Sequence, residues 1–295
     1  MDKLGDFISR QKWLGPIEKM LGTVADTIFL KDVPGGEKVR NFFHGTWFGH
    51  PLHPAITDVP LGAWTAATVL DIYEAASGDD SLARGSDTAV QIGLIGAAGA
   101  ALTGLNDWNY TYEKPRRVGA FHAVINITAT AFYLGSWWQR RHGCRKAGLT
   151  MGFAGYAFSI VGAYLGGHLV YNERIGVNHA PEELPEKFVP LMKESELPEG
   201  EMVKAEAEGV PVLVVRRGDR IFAMAEKCSH LGGPLSEGEF DGAAVTCPWH
   251  YSKFAIEDGS ILTGPAAYAQ PCFEVRVRAG RVEVRAPRGM VANPY

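Results

Sequence analysis

Two short stretches carry the residue types that bind metal. One is Cys228-Ser229-His230, and the other, after sixteen intervening residues, is Cys247-Pro248-Trp249-His250. Thiolates and imidazoles in the order Cys-x-His…Cys-x-x-His suit a [2Fe–2S] cluster. One iron takes two thiolates and the other two neutral imidazoles, which raises the reduction potential above that of an all-thiolate cluster. The imidazoles also gain or lose protons near neutral pH. The same four groups suit a tetrahedral zinc ion, and colour separates the two, because the iron–sulfur form is red-brown. Gly232, Gly233 and Pro248 stand in these stretches, where backbone amides must approach sulfur. The other cysteines, Cys144 and Cys272, have no partner at ligand spacing. Four cysteines, two of them in the quartet, do not form a disulfide framework, which fits a reducing compartment.

These loops need a rigid frame, and the surrounding sequence supplies strands. Residues 211–216 and 220–224 flank Arg217-Gly218-Asp219, a hairpin signal. Residues 273–278 alternate in polarity, turn at Ala279-Gly280, and resume over 281–285. Period-two alternation predicts strands with one wet face, hence a small all-β module with its metal loops at one end.

The preceding 180 or so residues differ in kind. The net charge is only −4, which gives no electrostatic argument for nucleic acid. Four stretches, 56–76, 88–106, 118–138 and 149–171, are apolar and nearly uncharged, each about long enough to cross a bilayer as a helix. The first is the weakest, with Asp58, Asp71 and Glu74. A soluble four-helix core would bury such segments too, but its glycines would cost about 1 kcal/mol each against alanine. Small residues such as Gly96, Ala100 and Gly104, or Gly152, Gly155, Gly162 and Gly166, instead let membrane helices approach closely. Trp137 and Trp138 stand where an interfacial belt would be. The expected fold is an N-terminal all-α four-helix transmembrane bundle followed by a C-terminal all-β domain. The first 45 residues show no signal peptide. Ile17, Met20, Leu21, Val24 and Ile28 fall at helical spacing and predict an amphipathic arm lying on the membrane or on the bundle. Phe42, Phe43, Trp47 and Phe48 would anchor the entry to the first span. The expected divisions are 1–45 for the arm, 46–180 for the bundle, 181–288 for the β domain and 289–295 for a tail.

Four spans put both termini on one side, and topology then gathers histidines at that side. His50 and His53 precede or open the first span, His122 begins the third and His168 ends the fourth. Each alone is most simply a satisfied polar group, but ionisable residues at one depth of several spans mark a functional site. Histidines from facing helices hold b-type haem. The expected axial pair is His122 and His168, with His53 as substitute for either and His50 nearby. A non-haem metal site using His53, Asp58, His122 or His168, a quinone pocket and a structural role are the alternatives.

The quartet and its flanks resemble Rieske ferredoxins and the ferredoxin components of aromatic-ring dioxygenases, over roughly 187–285. High-potential Rieske proteins carry an extra disulfide, whose positions correspond here to Gly233 and Trp249, and two hydroxyl donors to the cluster sulfurs. Ser252 matches one donor and Phe254 stands at the other. The resemblance therefore implies a low to intermediate potential. The block 49–62, with Thr103-Gly104-Leu105-Asn106-Asp107-Trp108 and Gly166-Gly167-His168-Leu169-Val170-Tyr171, resembles the DUF2231 family of four-helix bacterial membrane domains. That family brings a topology and no settled activity.

The expected function is membrane-anchored one-electron transfer through a Rieske [2Fe–2S] cluster, exchanging electrons with a haem b or quinone in the helical domain. A quinol-oxidising oxidoreductase and a redox sensor or scaffold are the alternatives. The expected partners are the lipid bilayer and a redox protein or quinone, without nucleic acid, and a homo-oligomer is allowed. The expected location is the bacterial cytoplasmic membrane, with the Rieske domain on the cytoplasmic side.

Overall fold

The computed structural model describes residues 2–287. The expected tail at 289–295 lies outside them. The chain divides into two compact units, one formed by 1–36 and 51–175 and the other by 37–50 and 176–295.

In the first unit, α1 (Lys3–Ser9) and α2 (Leu14–Ile28) precede four long helices, α4 (Leu52–Ser77), α5 (Ala83–Trp108), α6 (Glu113–Arg141) and α7 (Arg145–Tyr171); α3 (Gly36–His44), between α2 and α4 in sequence, belongs to the second unit. Each expected span falls within one long helix. Three of them, α5, α6 and α7, are long and apolar enough to cross a membrane. The other, α4, carries Asp58, Asp71 and Glu74 and one internal proline, Pro60. The long helices turn large apolar side chains outward, including Ile95, Ile127 and Ile160, and keep Ser86, Asn106, Ser136 and Arg140 inside. Such an arrangement suits a hydrocarbon surround, where polar groups must find partners within the protein.

The glycines do more than let backbones meet. Several accommodate a particular side chain of a neighbouring helix. A Cβ on Gly93 would run into the Trp64 indole, and one on Gly104 would lie 2.6 Å from the His53 ring. Gly155 faces Tyr133 and Gly162 faces Asn126 in the same way. Trp64 stacks on Tyr133 at 4.0 Å between ring centroids.

The arm is helical, as its spacing predicts. Leu14 and Leu21 of α2 and Ile8 of α1 pack with Trp108, Val118, Ala120 and Leu165, while Met20, Val24 and Ile28 stay exposed.

Among the described residues, the second unit holds ten strands in three antiparallel sheets. β1 (Val189–Lys193), β10 (Arg281–Arg285) and β9 (Glu274–Arg278) form one; β2 (Met202–Ala207), β3 (Val210–Arg217) and β4 (Arg220–Ala225) form the second. β5 (Glu239–Phe240), β6 (Ala244–Thr246), β7 (Lys253–Ala255) and β8 (Ile261–Thr263) form the third. Both expected hairpins form, with Arg217 opposite Arg220 and Arg278 opposite Arg281. The apolar run Val212-Leu213-Val214-Val215 lacks alternation because β3 is buried on both faces. Val212 and Val214 join a core with Val189 and Val284. Leu213 and Val215 join the core that contains Cys228 and Cys247.

Candidate metal centre

The two metal loops close in the same way. Cys228 N–H donates to Gly233 O and Gly232 N–H to Cys228 O, at 2.9 and 2.8 Å. Cys247 N–H donates to Ser252 O and Tyr251 N–H to Cys247 O, at 2.8 and 3.1 Å. Each loop turns through a left-handed residue at the same place, Gly232 with φ 76° and Tyr251 with φ 64°. This closure turns amides toward sulfur. The N–H groups of His230 and Leu231 face Cys228, and those of Trp249 and His250 face Cys247.

The loops bring the four sequence-selected residues into one group. The thiols of Cys228 and Cys247 are buried and share a hydrogen bond. That bond pushes Cys247 down to about 7 and Cys228 up. The His230 and His250 rings lie 4.8 Å apart, edge to face. Burial brings His250 down to about 4, and burial with three nearby histidines holds His230 well below its ordinary value. Both imidazoles are therefore neutral at pH 7, the form in which a ring nitrogen can bind metal. His230 Nδ1 is buried with no hydrogen-bond partner. An orphaned ring nitrogen beside two buried thiols and a second imidazole fits a mixed thiolate–imidazole cluster.

The flanking sequence supports the loops. Gln270 accepts from Ser229 N–H at 2.9 Å and donates to Ala225 O and Lys227 O. Ser252 Oγ accepts from Ala266 N–H at 3.0 Å. A Cβ on Gly233 would meet Cys247 Sγ at 2.9 Å and the Trp249 ring at 3.1 Å. The indole thus fills the space that the resemblance assigns to a disulfide. Phe254 is fully buried in the same core. Cys272 is no part of the quartet, and burial pushes its thiol up to about 12.

Two further histidines were not selected from the sequence. Buried His44 comes from α3, where Asn41 accepts from Gly264 N–H at 2.9 Å and donates to Leu262 O at 3.2 Å. A Cβ on Gly264 would lie 3.0 Å from the His44 ring. His179 donates its N–H to Ser229 O at 3.0 Å. Both stand close enough to His230 to disfavour its protonation. Nothing in the ligand spacing points to either. Gln270 is likewise invisible until the fold brings it to the loop.

The histidines of the expected haem layer separate. His53 and His122 come together, with ring centroids 6.4 Å apart at right angles. His53 Nδ1 donates to Ala100 O at 2.9 Å and His122 Nδ1 to Gly162 O at 3.0 Å. Carbonyls only accept, so both rings carry hydrogen on Nδ1 and a lone pair on Nε2, which in His122 accepts from the Asn126 amide at 3.2 Å. His168 is engaged elsewhere. Its Nε2–H donates to Asp2 at 3.2 Å and its Nδ1 accepts from Asn172 at 2.9 Å, so both nitrogens are engaged. Asp2, His168 and Glu173 lie within metal-ligand reach of one another. The Lys114 ammonium already bridges the two carboxylates, at 2.6 Å from Asp2 and 3.2 Å from Glu173. His50 belongs to the second unit, with its ring 5.9 Å from Tyr268.

Comparison with known proteins agrees with this geometry. Residues 187–274 match the Rieske [2Fe-2S] domain. The anthranilate 1,2-dioxygenase ferredoxin subunit of Burkholderia cepacia is 35% identical over 95 residues, which cover 88% of that protein and 32% of this chain. The chain belongs to the Rieske family. The Rieske unit also resembles apoptosis-inducing factor 3 of Homo sapiens, 31% identical over 124 residues, 41% of this chain. The chain spans only about a fifth of that protein's length. Among solved structures, the ferredoxin of carbazole 1,9a-dioxygenase from Nocardioides aromaticivorans IC177 is 26% identical with a TM-score of 0.33, covering 35% of this chain and all of that one. Residues 49–179 ahead of the Rieske segment match the predicted membrane protein family DUF2231.

Proposed function

We propose that this chain is a membrane-anchored one-electron carrier, in which Cys228, His230, Cys247 and His250 hold a [2Fe–2S] cluster. The observation that carries this reading is the pair of like-closed loops, with two buried thiols, two neutral imidazoles and the orphaned His230 Nδ1. When bound, such a cluster takes up or releases a single electron. The protein's own part is to fix and shield. Gln270 holds the first loop, Ser252 is tied to Ala266, and loop amides donate to both sulfurs. Amide donors favour the more negative, reduced form. The resemblance to ferredoxin subunits of dioxygenase systems supports a protein redox partner. The test is electron paramagnetic resonance of the purified, reduced chain. A Rieske signal lost in Cys228→Ser and Cys247→Ser supports the proposal, and stoichiometric zinc without iron overturns it.

In the same reading, residues 46–180 carry the four spans and 181–288 the Rieske domain, and of the expected arm at 1–45 the part up to residue 36 lies on the bundle while α3 goes with the Rieske unit. The location is the bacterial cytoplasmic membrane, with the Rieske domain on the cytoplasmic side. The membrane-side electron partner is a haem b or quinone at His53 and His122. Two imidazoles whose Nδ1–H groups are held by carbonyls have the orientation common among metal-binding histidines, and the His53 Nε2 lone pair also suits a quinol hydroxyl. This pair replaces His122 with His168, because the His53 and His122 rings meet while His168 turns to Asp2 and Asn172. Haem-supplied expression should give a Soret band and a sharp reduced α-band, lost in His53→Ala and His122→Ala and kept in His168→Ala. A purely iron–sulfur spectrum rejects haem. The cluster's reduction rate with quinol or with a soluble reductase then separates a quinol-oxidising enzyme from a carrier, and reduction by neither favours a sensor or scaffold.

A further inference from the structure

A cavity of about 300 Å³ opens between the start of α5 and the end of α6. It is lined by Arg84, Asp87, Thr88, Gln91, Trp137, Arg140 and Arg141. Its carboxylate is already neutralised, because Asp87 is bound by Arg140 at 3.0 Å and by Arg145. Arg140 is spent as well: its guanidinium is buried, donates to Ser136 and Ser86, and pairs with Asp71. Arg84 and Arg141 remain. Neither has an ion-pair partner among the described residues, and both are exposed. The Arg141 guanidinium lies over the Trp137 ring at 4.9 Å.

The depth of the cavity narrows the ligand class. Between Asp87 and Asp107 on α5, and between Arg117 and Arg140 on α6, no Asp, Glu, Lys or Arg occurs. Each gap spans about 30 Å of helix, the thickness of a hydrocarbon core. Arg84 and Arg141 thus stand at the polar edge of two apolar helices, at the depth of lipid phosphates. Guanidinium groups take phosphate through paired charged hydrogen bonds, and basic pockets between spans take anionic headgroups. Gln91 adds an amide donor, with one N–H already given to Asp87 O.

We propose that this cavity binds the phosphate of an anionic phospholipid, held by Arg84 and Arg141 against the Trp137 wall. Asp71, Asp87, Arg140 and Arg145 are the scaffold that keeps the guanidiniums apart and the acids silent. The site is independent of the redox centre.

The test is native mass spectrometry of the full chain from mild detergent, offered phosphatidylglycerol or phosphatidylcholine. One phosphatidylglycerol should be retained and phosphatidylcholine should not. The Arg84→Gln/Arg141→Gln pair should lower retention about tenfold or more, the scale of one lost charge-assisted hydrogen bond. Lys146→Gln, on the same rim but outside the lining, should keep it. Helicity by circular dichroism confirms that the double variant is folded. A parallel arm offers inorganic phosphate alone. Displacement of the lipid by millimolar phosphate, with thermal stabilisation lost in the double variant, assigns the same two arginines to free phosphate. Equal retention of both lipids, or retention unchanged in the folded double variant, overturns the proposal.

Discussion

A methyl group at Gly233 would lie 2.9 Å from Cys247 Sγ, so the site has no room for even the smallest side chain there. Gly233→Ala should therefore displace a proposed ligand and reduce iron content, read by metal analysis and visible absorption. Ser252 offers a subtler change. Its Oγ takes the Ala266 N–H inside a fully buried site. Ser252→Ala leaves that amide unpaired, at a cost of about 1–3 kcal/mol. It should also lower the cluster potential if the hydroxyl hydrogen serves a sulfur, and a redox titration without any change removes that role. Asp241 is one of the carboxyls that contribute to acid sensitivity. The Lys253 ammonium, with the N–H groups of Ala243 and Ala244, holds its carboxyl well below the usual range. A carboxyl depressed on folding stabilises at neutral pH, and that contribution is lost as pH falls through the carboxylate range. Asp241→Asn should thus lower thermal stability at pH 7, with the gap to wild type narrowing toward pH 3.

At the scale of elements, the helices are keyed by pairs of one glycine and one large side chain. Gly93→Leu would drive a side chain into the Trp64 indole, an overpacking worth about 1–3 kcal/mol or more. Thermal loss of monodisperse protein in detergent would report it. The ends of α4, α6 and α7 are joined by Asp71, Arg140, Glu74 and Arg145. Arg140→Met leaves Asp71 buried without its main partner, a loss on the order of 3–5 kcal/mol. Helix α3 belongs by its contacts with the Rieske strands, though residues 37–48 lie outside both matched family segments. Because His44 stands near His230, His44→Ala should keep the cluster yet shift its g-values. Unchanged g-values would make α3 a passive cover.

At the scale of the whole molecule, a ferredoxin-like unit shares one chain with helices that present apolar side chains outward. The full chain should therefore stay with membranes through an alkaline carbonate wash and leave only with detergent. Release by carbonate would contradict spanning helices.

The sequence by itself determined what local spacing controls. Cys228, His230, Cys247 and His250 lie within two six-residue loops, so the ligand geometry is set mostly by chain neighbours. The hairpins at Gly218 and Gly280 and the long helices follow from turn residues and apolar length in the same way. Depth along a helix was legible too, because each residue adds a fixed rise of about 1.5 Å. Direction around the helix was not, since about 100° separates successive residues and packing decides which face meets which neighbour. That is why His122 meets His53, while His168, at an expected similar depth, turns to Asp2. The same limit hid His44 and Gln270, which reach the metal loops from distant sequence through contacts that carry no period. The glycines were legible as small, but only tertiary packing showed which side chain each one receives.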